Sequence, residues 1–158
     1  MIKQIAALLG FIALAFTAPA VSAVLFVSRP DDWYYALNKP WFNPPNWIFG
    51  PVWSFLYCTM GIAAWLVWRK GEAQALWLPM GLFGLQLLLN TLWTPLFFGM
   101  HRPGLALMDI GALWIAIAAT TLSFYPISRM AACLFVPYWL WVSFAALLNA
   151  AIWWLNRN

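Results

Sequence analysis

The chain has 158 residues, 65% of them apolar and 8% charged, whereas about a quarter of the residues of a soluble domain are charged. A soluble globular fold is excluded, and an integral multi-pass membrane protein is expected. The net charge of +4 would suggest nucleic acid on a soluble protein. Here Arg29, Arg69, Lys70, Arg102, Arg129 and Arg157 fall at expected helix ends and read as interfacial anchors, so no nucleic-acid partner is expected.

The charges divide the chain. None occurs between Lys3 and Arg29, Lys39 and Arg69, Glu72 and Arg102, Asp109 and Arg129, or Arg129 and Arg157. A span needs about 20 mostly apolar residues to cross a hydrocarbon core of roughly 30 Å. The fold class read from this pattern is an all-α bundle of five transmembrane helices forming one domain over residues 1–158. The spans are placed near Ile5–Val27, Asn46–Trp68, Ala75–Phe98, Gly104–Phe124 and Met130–Trp154. Short links predict that sequential helices are antiparallel neighbours. The eight basic residues split evenly between the two membrane faces, so the positive-inside rule assigns no orientation.

The first segment also fits a secretory signal, with Lys3, an apolar run and Val21-Ser22-Ala23. The run continues through Val27, past the typical h-region of about 7–15 residues, so a retained helix is expected. Pro19 among small residues predicts a kink that faces protein or ligand.

Between the first two spans lies an aromatic, proline-rich loop holding Trp33, Tyr34, Tyr35, Pro40, Trp41, Phe42, Pro44, Pro45 and Trp47. Asp31 and Asp32 predict a cap for one short helical turn, and Lys39 to Pro45 should be extended and stiff. Such a loop has the make-up of a lid over a membrane-embedded cavity.

The second span carries Trp53, Tyr57, Gly61 and Ala64 on one face. The third carries Gln86, Asn90, Trp93 and Phe97 at helical spacing, and amides in a span are costly unless they meet partners or a ligand. In the fourth span Ala112, Ala116 and Ala119 predict a close-packing seam. Asp109 lies seven residues after Arg102, which leaves open an ion pair or a role in holding loop or ligand. The fifth presents Tyr138, Trp141, Ala145 and Asn149 along one side.

Ordinary catalytic chemistry is missing from the pattern. Cys58 and Cys133 have no metal-ligand spacing and read as buried small hydrophobes. His101 stands alone in a tight loop, and no phosphate loop, nucleophile elbow or carboxylate pair appears. No metal site and no required cofactor are expected. Trp65, Trp68, Trp77, Trp153 and Trp154 lie near helix ends and read as interfacial belts. Trp53, Trp93 and Trp141 share faces with Tyr57, Asn90 and Ala145 and are expected to contact a large flat ligand, because indole faces offer broad stacking area.

Several motifs, in order, resemble the TspO/MBR family, which includes tryptophan-rich sensory proteins and the translocator protein or peripheral-type benzodiazepine receptor. They are Asn38-Lys39-Pro40-Trp41, Pro44-Pro45-Asn46-Trp47, Gly50-Pro51-Val52-Trp53 with Leu56-Tyr57, Gln86 with Asn90-Thr91-Leu92-Trp93-Thr94-Pro95, Phe97-Phe98-Gly99, Pro137-Tyr138 with Trp141, and Leu148-Asn149. The resemblance implies five transmembrane helices, a homodimer, and a pocket under the first loop for porphyrins such as protoporphyrin IX or haem and for benzodiazepine-type or isoquinoline ligands.

The matching pocket positions are Tyr34, Pro44, Trp53, Tyr57, Asn90, Trp93, Trp141 and Ala145. The function implied is sensing, sequestering or transporting porphyrins under stress or changing oxygen. The alternatives are light- and oxygen-dependent porphyrin breakdown, with Trp53 and Trp141 as the catalytic pair, and a ligand-responsive regulatory scaffold. Two positions depart from the pattern. Ala150 stands where the sterol motif of animal members has a tyrosine, so sterol binding does not carry over, and Leu85 follows Gly81 where many members have Gly-x-x-x-Gly. A bacterial cytoplasmic membrane is the expected location.

Overall fold

The computed structural model describes residues 2–25 and 32–157, with the side chains of Leu25 and Ala73 excepted. Five helices are long and apolar enough to cross a membrane, and no strand occurs among the described residues. They are α1 (Ile2–Leu25), α3 (Asn46–Lys70), α4 (Trp77–Thr94), α5 (Pro103–Phe124) and α6 (Arg129–Leu155), with the short α2 (Asp32–Ala36) lying between α1 and α3. The expected end of the first span at Val27, the Arg29 anchor and the contribution of Asp31 to the cap lie outside the described residues.

Local chemistry sets the helix ends. Pro45 is extended, with φ −56° and ψ 139°, and α3 starts directly after it. The α6 terminus is capped by Ser128, whose side chain accepts from the Ala131 N–H at 3.4 Å, while α5 begins on Pro103 at a position that needs no N–H donor. After Thr94, α4 widens into a π-helical turn at Pro95–Gly99. It is closed by Met100 N–H donating to Pro95 O at 2.8 Å. A proline supplies no N–H to the α-helical ladder, and the wider turn keeps Phe97 buried facing the bundle interior.

The helices form a ring in the order α1, α3, α6, α5, α4 and back to α1. This corrects the expectation that all sequential helices are neighbours, because α1 stands between α3 and α4. Two local features place it there. A Cβ on Gly61 of α3 would lie 2.5 Å from the Ile12 Cα, so only glycine permits that approach. On the other side, the Ser22 hydroxyl donates to the Thr91 carbonyl of α4 at 2.9 Å. Helix α1 is unbroken across Pro19, which lies on the wall of an internal cavity.

The end of the bundle away from the lid is filled by Phe83, Phe124 and Phe135, whose ring centroids are 5.3 to 6.4 Å apart. Arg69 covers the Trp65 ring at 4.4 Å and Arg157 covers Trp154 at 3.3 Å.

Other expectations need correction. Of the expected alanine seam only Ala116 is buried, while Ala112 is exposed and Ala119 half-buried, so the seam as a whole is not the packed face of α5. The packed face runs through Ala106, Ile110, Leu113, Ala116, Ile117, Thr120 and Phe124, mostly larger side chains that fill the space between helices. Cys133 is exposed and Cys58 only half-buried, so neither is a core side chain. The segment from Lys39 to Pro45 is interrupted by a turn in which the Asn43 N–H donates to Pro40 O at 3.0 Å. That turn leaves Trp41 exposed at its corner and brings Phe42 against Phe144.

Candidate functional site

Above the phenylalanine-packed end, the five long helices enclose a cavity of about 530 Å³ beneath α2, within the range of pockets that hold small molecules. The structure brings seven of the eight expected positions to its wall: Tyr34 from the lid, Trp53 and Tyr57 from α3, Asn90 and Trp93 from α4, and Trp141 and Ala145 from α6. Pro44 is not on the wall. It is half-buried in the lid and its carbonyl accepts from Asn43 Nδ2 at 3.2 Å, a place suited to stiffening the loop.

Two indoles are held by ring stacking. Trp53 lies over Tyr57 with centroids 5.5 Å apart and planes 25° apart. Trp93 lies over Phe97 at 5.0 Å and 20°. Trp141 meets Phe49 edge-on at 5.8 Å and Phe144 at 5.5 Å. Among the described residues no Asp, Glu, Lys, Arg or His lines the cavity, so the polarity they give it comes from amides, hydroxyls and indole N–H groups.

These polar groups are mostly engaged with one another. Tyr57 OH donates to Asn90 Oδ1 at 2.6 Å, Asn90 Nδ2 donates to Tyr138 OH at 3.2 Å, and Tyr138 OH donates to Gln86 Oε1 at 3.0 Å. This chain fixes which way the Asn90 amide faces. A second chain runs from Trp93 Nε1 to Asn149 Oδ1 at 3.0 Å and from Asn149 Nδ2 to Pro103 O at 2.8 Å. It joins α4, α6 and the start of α5. Buried amides with partners in an apolar surround rigidify the walls. Trp141 Nε1 is buried without a protein acceptor.

The lid contributes Tyr34, which is buried and packs against Phe97 and Phe98 at 6.5 and 5.4 Å. Burial pushes its phenol above the ordinary tyrosine range, and a hydrogen bond with Asn43 pulls the other way. Lys39 lies 4.5 Å over the same ring.

The Arg102–Asp109 ion pair does not form. Asp109 Oδ2 is buried without a hydrogen-bond partner, and Arg102 is exposed. The physical reason is that α5 begins at Pro103. Arg102, at φ −116° and ψ 75°, lies before the first helical residue, so the helical register that suggested the pair does not extend to it.

Sequence reasoning did not mark several further wall residues. Phe98, Ile110 and Leu113 resemble ordinary core side chains. Ser22 stands in the sequence only within the Val21-Ser22-Ala23 stretch that fits a signal and among the small residues around Pro19, with nothing that singles out its side chain.

The TspO/MBR family model matches residues 7–155. The tryptophan-rich sensory protein of Cereibacter sphaeroides is 44% identical, over 89% of this chain and 86% of its own length. The tryptophan-rich protein TspO of Chlorobaculum tepidum is also 44% identical, over 99% of both chains. The human translocator protein is 43% identical over 77% of this chain and 73% of its own. With seven of the expected pocket positions on one cavity wall and the family match spanning residues 7–155, the chain belongs to the TspO/MBR family.

Proposed function

We propose that this protein binds a porphyrin-type tetrapyrrole, such as protoporphyrin IX or haem, in the cavity beneath its lid, and that this binding serves sensing, sequestration or transport across or within the membrane. The observation that carries the reading is the cavity of about 530 Å³, uncharged among the described residues, with Trp53, Trp93 and Trp141 on its wall. Broad indole faces suit a flat conjugated ring. No described wall residue is charged, and Lys39 at the lid end is suited to pair with ligand carboxylates. The names of the relatives, a sensory protein and a translocator protein, support the same broad role. A dark titration of protoporphyrin IX into protein in nanodiscs, followed by visible absorbance, tests it. Saturable binding is expected, and a linear response identical to that of empty nanodiscs would contradict it.

A second reading, porphyrin breakdown driven by light and oxygen, is favoured by one arrangement. Trp53 stacks on Tyr57 and meets Tyr138 edge-on at 6.1 Å, which places oxidisable rings together on a ligand cavity. The porphyrin and oxygen would supply the reactive chemistry, and the protein would supply binding and orientation. Bleaching at the same rate with heat-denatured protein would exclude it.

The proposal includes a homodimer, as the resemblance implies. A Cβ on Gly81 or Gly84 would meet no atom within 4 Å, so the outer side of α4 has room for a close neighbour. The proposed location is a bacterial cytoplasmic membrane, supported by the match to the Chlorobaculum protein along its whole length. No sterol site is proposed, because Ala150 lacks the motif's hydroxyl.

A further inference from the structure

We propose that Asn156 is a positioning residue for the cavity, latching the lid to the end of α6 and so setting how fast a ligand enters and leaves. The inference rests on the reading of the cavity as a ligand site. Asn38 and Asn156, 118 residues apart in sequence, exchange a reciprocal pair of hydrogen bonds. The Asn38 N–H donates to Asn156 Oδ1 at 2.9 Å, and Asn156 Nδ2 donates to the Asn38 carbonyl at 2.9 Å. A planar side-chain amide carries one donor group and one acceptor group side by side. It can therefore pair with the N–H and C=O of one backbone residue, as a neighbouring strand would. Aspartate lacks the donor.

Both ends of this pair reach the cavity wall. Asn156 Nδ2 also donates to the carbonyl of Ile152, a wall residue one turn earlier in α6. On the lid side, Lys39 follows Asn38 directly, and its Nζ donates to the carbonyls of Tyr35 at 3.3 Å and Leu37 at 3.2 Å while lying over the Tyr34 ring. Latch, lid cation and the wall residue Tyr34 are thus one connected unit. The Asn38–Asn156 bonds are exposed, so they are individually modest and the lid can open by breaking them without unfolding the helices.

The test compares the wild type with Asn156→Ala, using Arg157→Gln as a control at the same helix end. Ligand-free protein in nanodiscs is first followed by hydrogen exchange over residues 37–43. Loss of two exposed bonds should speed exchange there on the order of tenfold in Asn156→Ala and leave Arg157→Gln unchanged. Stopped-flow mixing with protoporphyrin IX in the dark should then show association and dissociation both faster in Asn156→Ala, with Kd changed much less than either rate. Equal lid exchange in wild type and Asn156→Ala overturns the latch. Faster exchange with unchanged binding rates overturns its role in access. Absence of saturable binding to the wild type defeats the porphyrin reading instead, and the exchange comparison still decides the latch.

Discussion

Tyr57 and Asn90 hydrogen-bond at 2.6 Å across the interior of the ring, joining α3 and α4, which are consecutive in the long-helix order yet separated on the outside by α1. The bond therefore ties together the two walls of the cavity that carry Trp53 and Trp93. Replacing Tyr57 leaves Asn90 Oδ1 without its donor, and replacing Asn90 leaves the Tyr57 hydroxyl without its acceptor. A double-mutant cycle with Tyr57→Phe and Asn90→Ala should give a coupling of about 0.6–2 kcal/mol in thermal or denaturant unfolding in detergent. Additive effects would mean that the contact carries no energy.

Tyr138 joins Asn90 to Gln86 and is completely buried. Tyr138→Phe removes two hydrogen bonds and leaves both amides short of a partner. It should cost more stability than Tyr57→Phe, by about 1 kcal/mol. Midpoints of unfolding for the two variants, measured side by side, check the order.

Gly61 decides how close α1 comes to α3. Gly61→Ala places a methyl group 2.5 Å from the Ile12 Cα, a clash with backbone that no side-chain rotation relieves. A loss of about 1–3 kcal/mol is expected. Gly10→Ala, where a Cβ would meet nothing within 4 Å, should be neutral or slightly stabilising. Equal stability of the two variants would show that α1 is not held where the structure places it.

Much of this arrangement was legible in the sequence. The five spans follow from where the few charges fall, and the Trp53/Tyr57 and Gln86/Asn90/Trp93 faces follow from helical spacing, because costly polar side chains mark the inward side. Ring order was not legible, since loop length says nothing about whether a third helix intervenes. The alanine seam held only at Ala116, because a small-residue face can point to lipid or to protein with equal ease. The Arg102–Asp109 pair depended on one residue of helix-start register, which Pro103 shifted. Asn156 carried no signal at all, because a terminal asparagine acquires its meaning only when the lid folds back over α6.

Ala145 lies on the cavity wall, where a large side chain would point into space that the proposal assigns to the ligand. Ala145→Phe should weaken protoporphyrin IX binding by on the order of tenfold or more while leaving the helical circular dichroism unchanged, since cavities tolerate filling better than packed cores do. Undiminished binding would place the ligand elsewhere.

The most direct measurement is quenching of tryptophan fluorescence by protoporphyrin IX, in the dark, for protein in nanodiscs. Three proteins are compared: wild type, the double variant Trp53→Phe/Trp141→Phe in the cavity, and the double variant Trp77→Phe/Trp154→Phe at the exposed helix ends. Saturable quenching is expected in wild type and in the helix-end variant, with affinity reduced on the order of tenfold in the cavity variant, consistent with loss of two indole stacking surfaces. Equal affinity in all three, or quenching that rises linearly without saturation, would contradict the cavity as the porphyrin site.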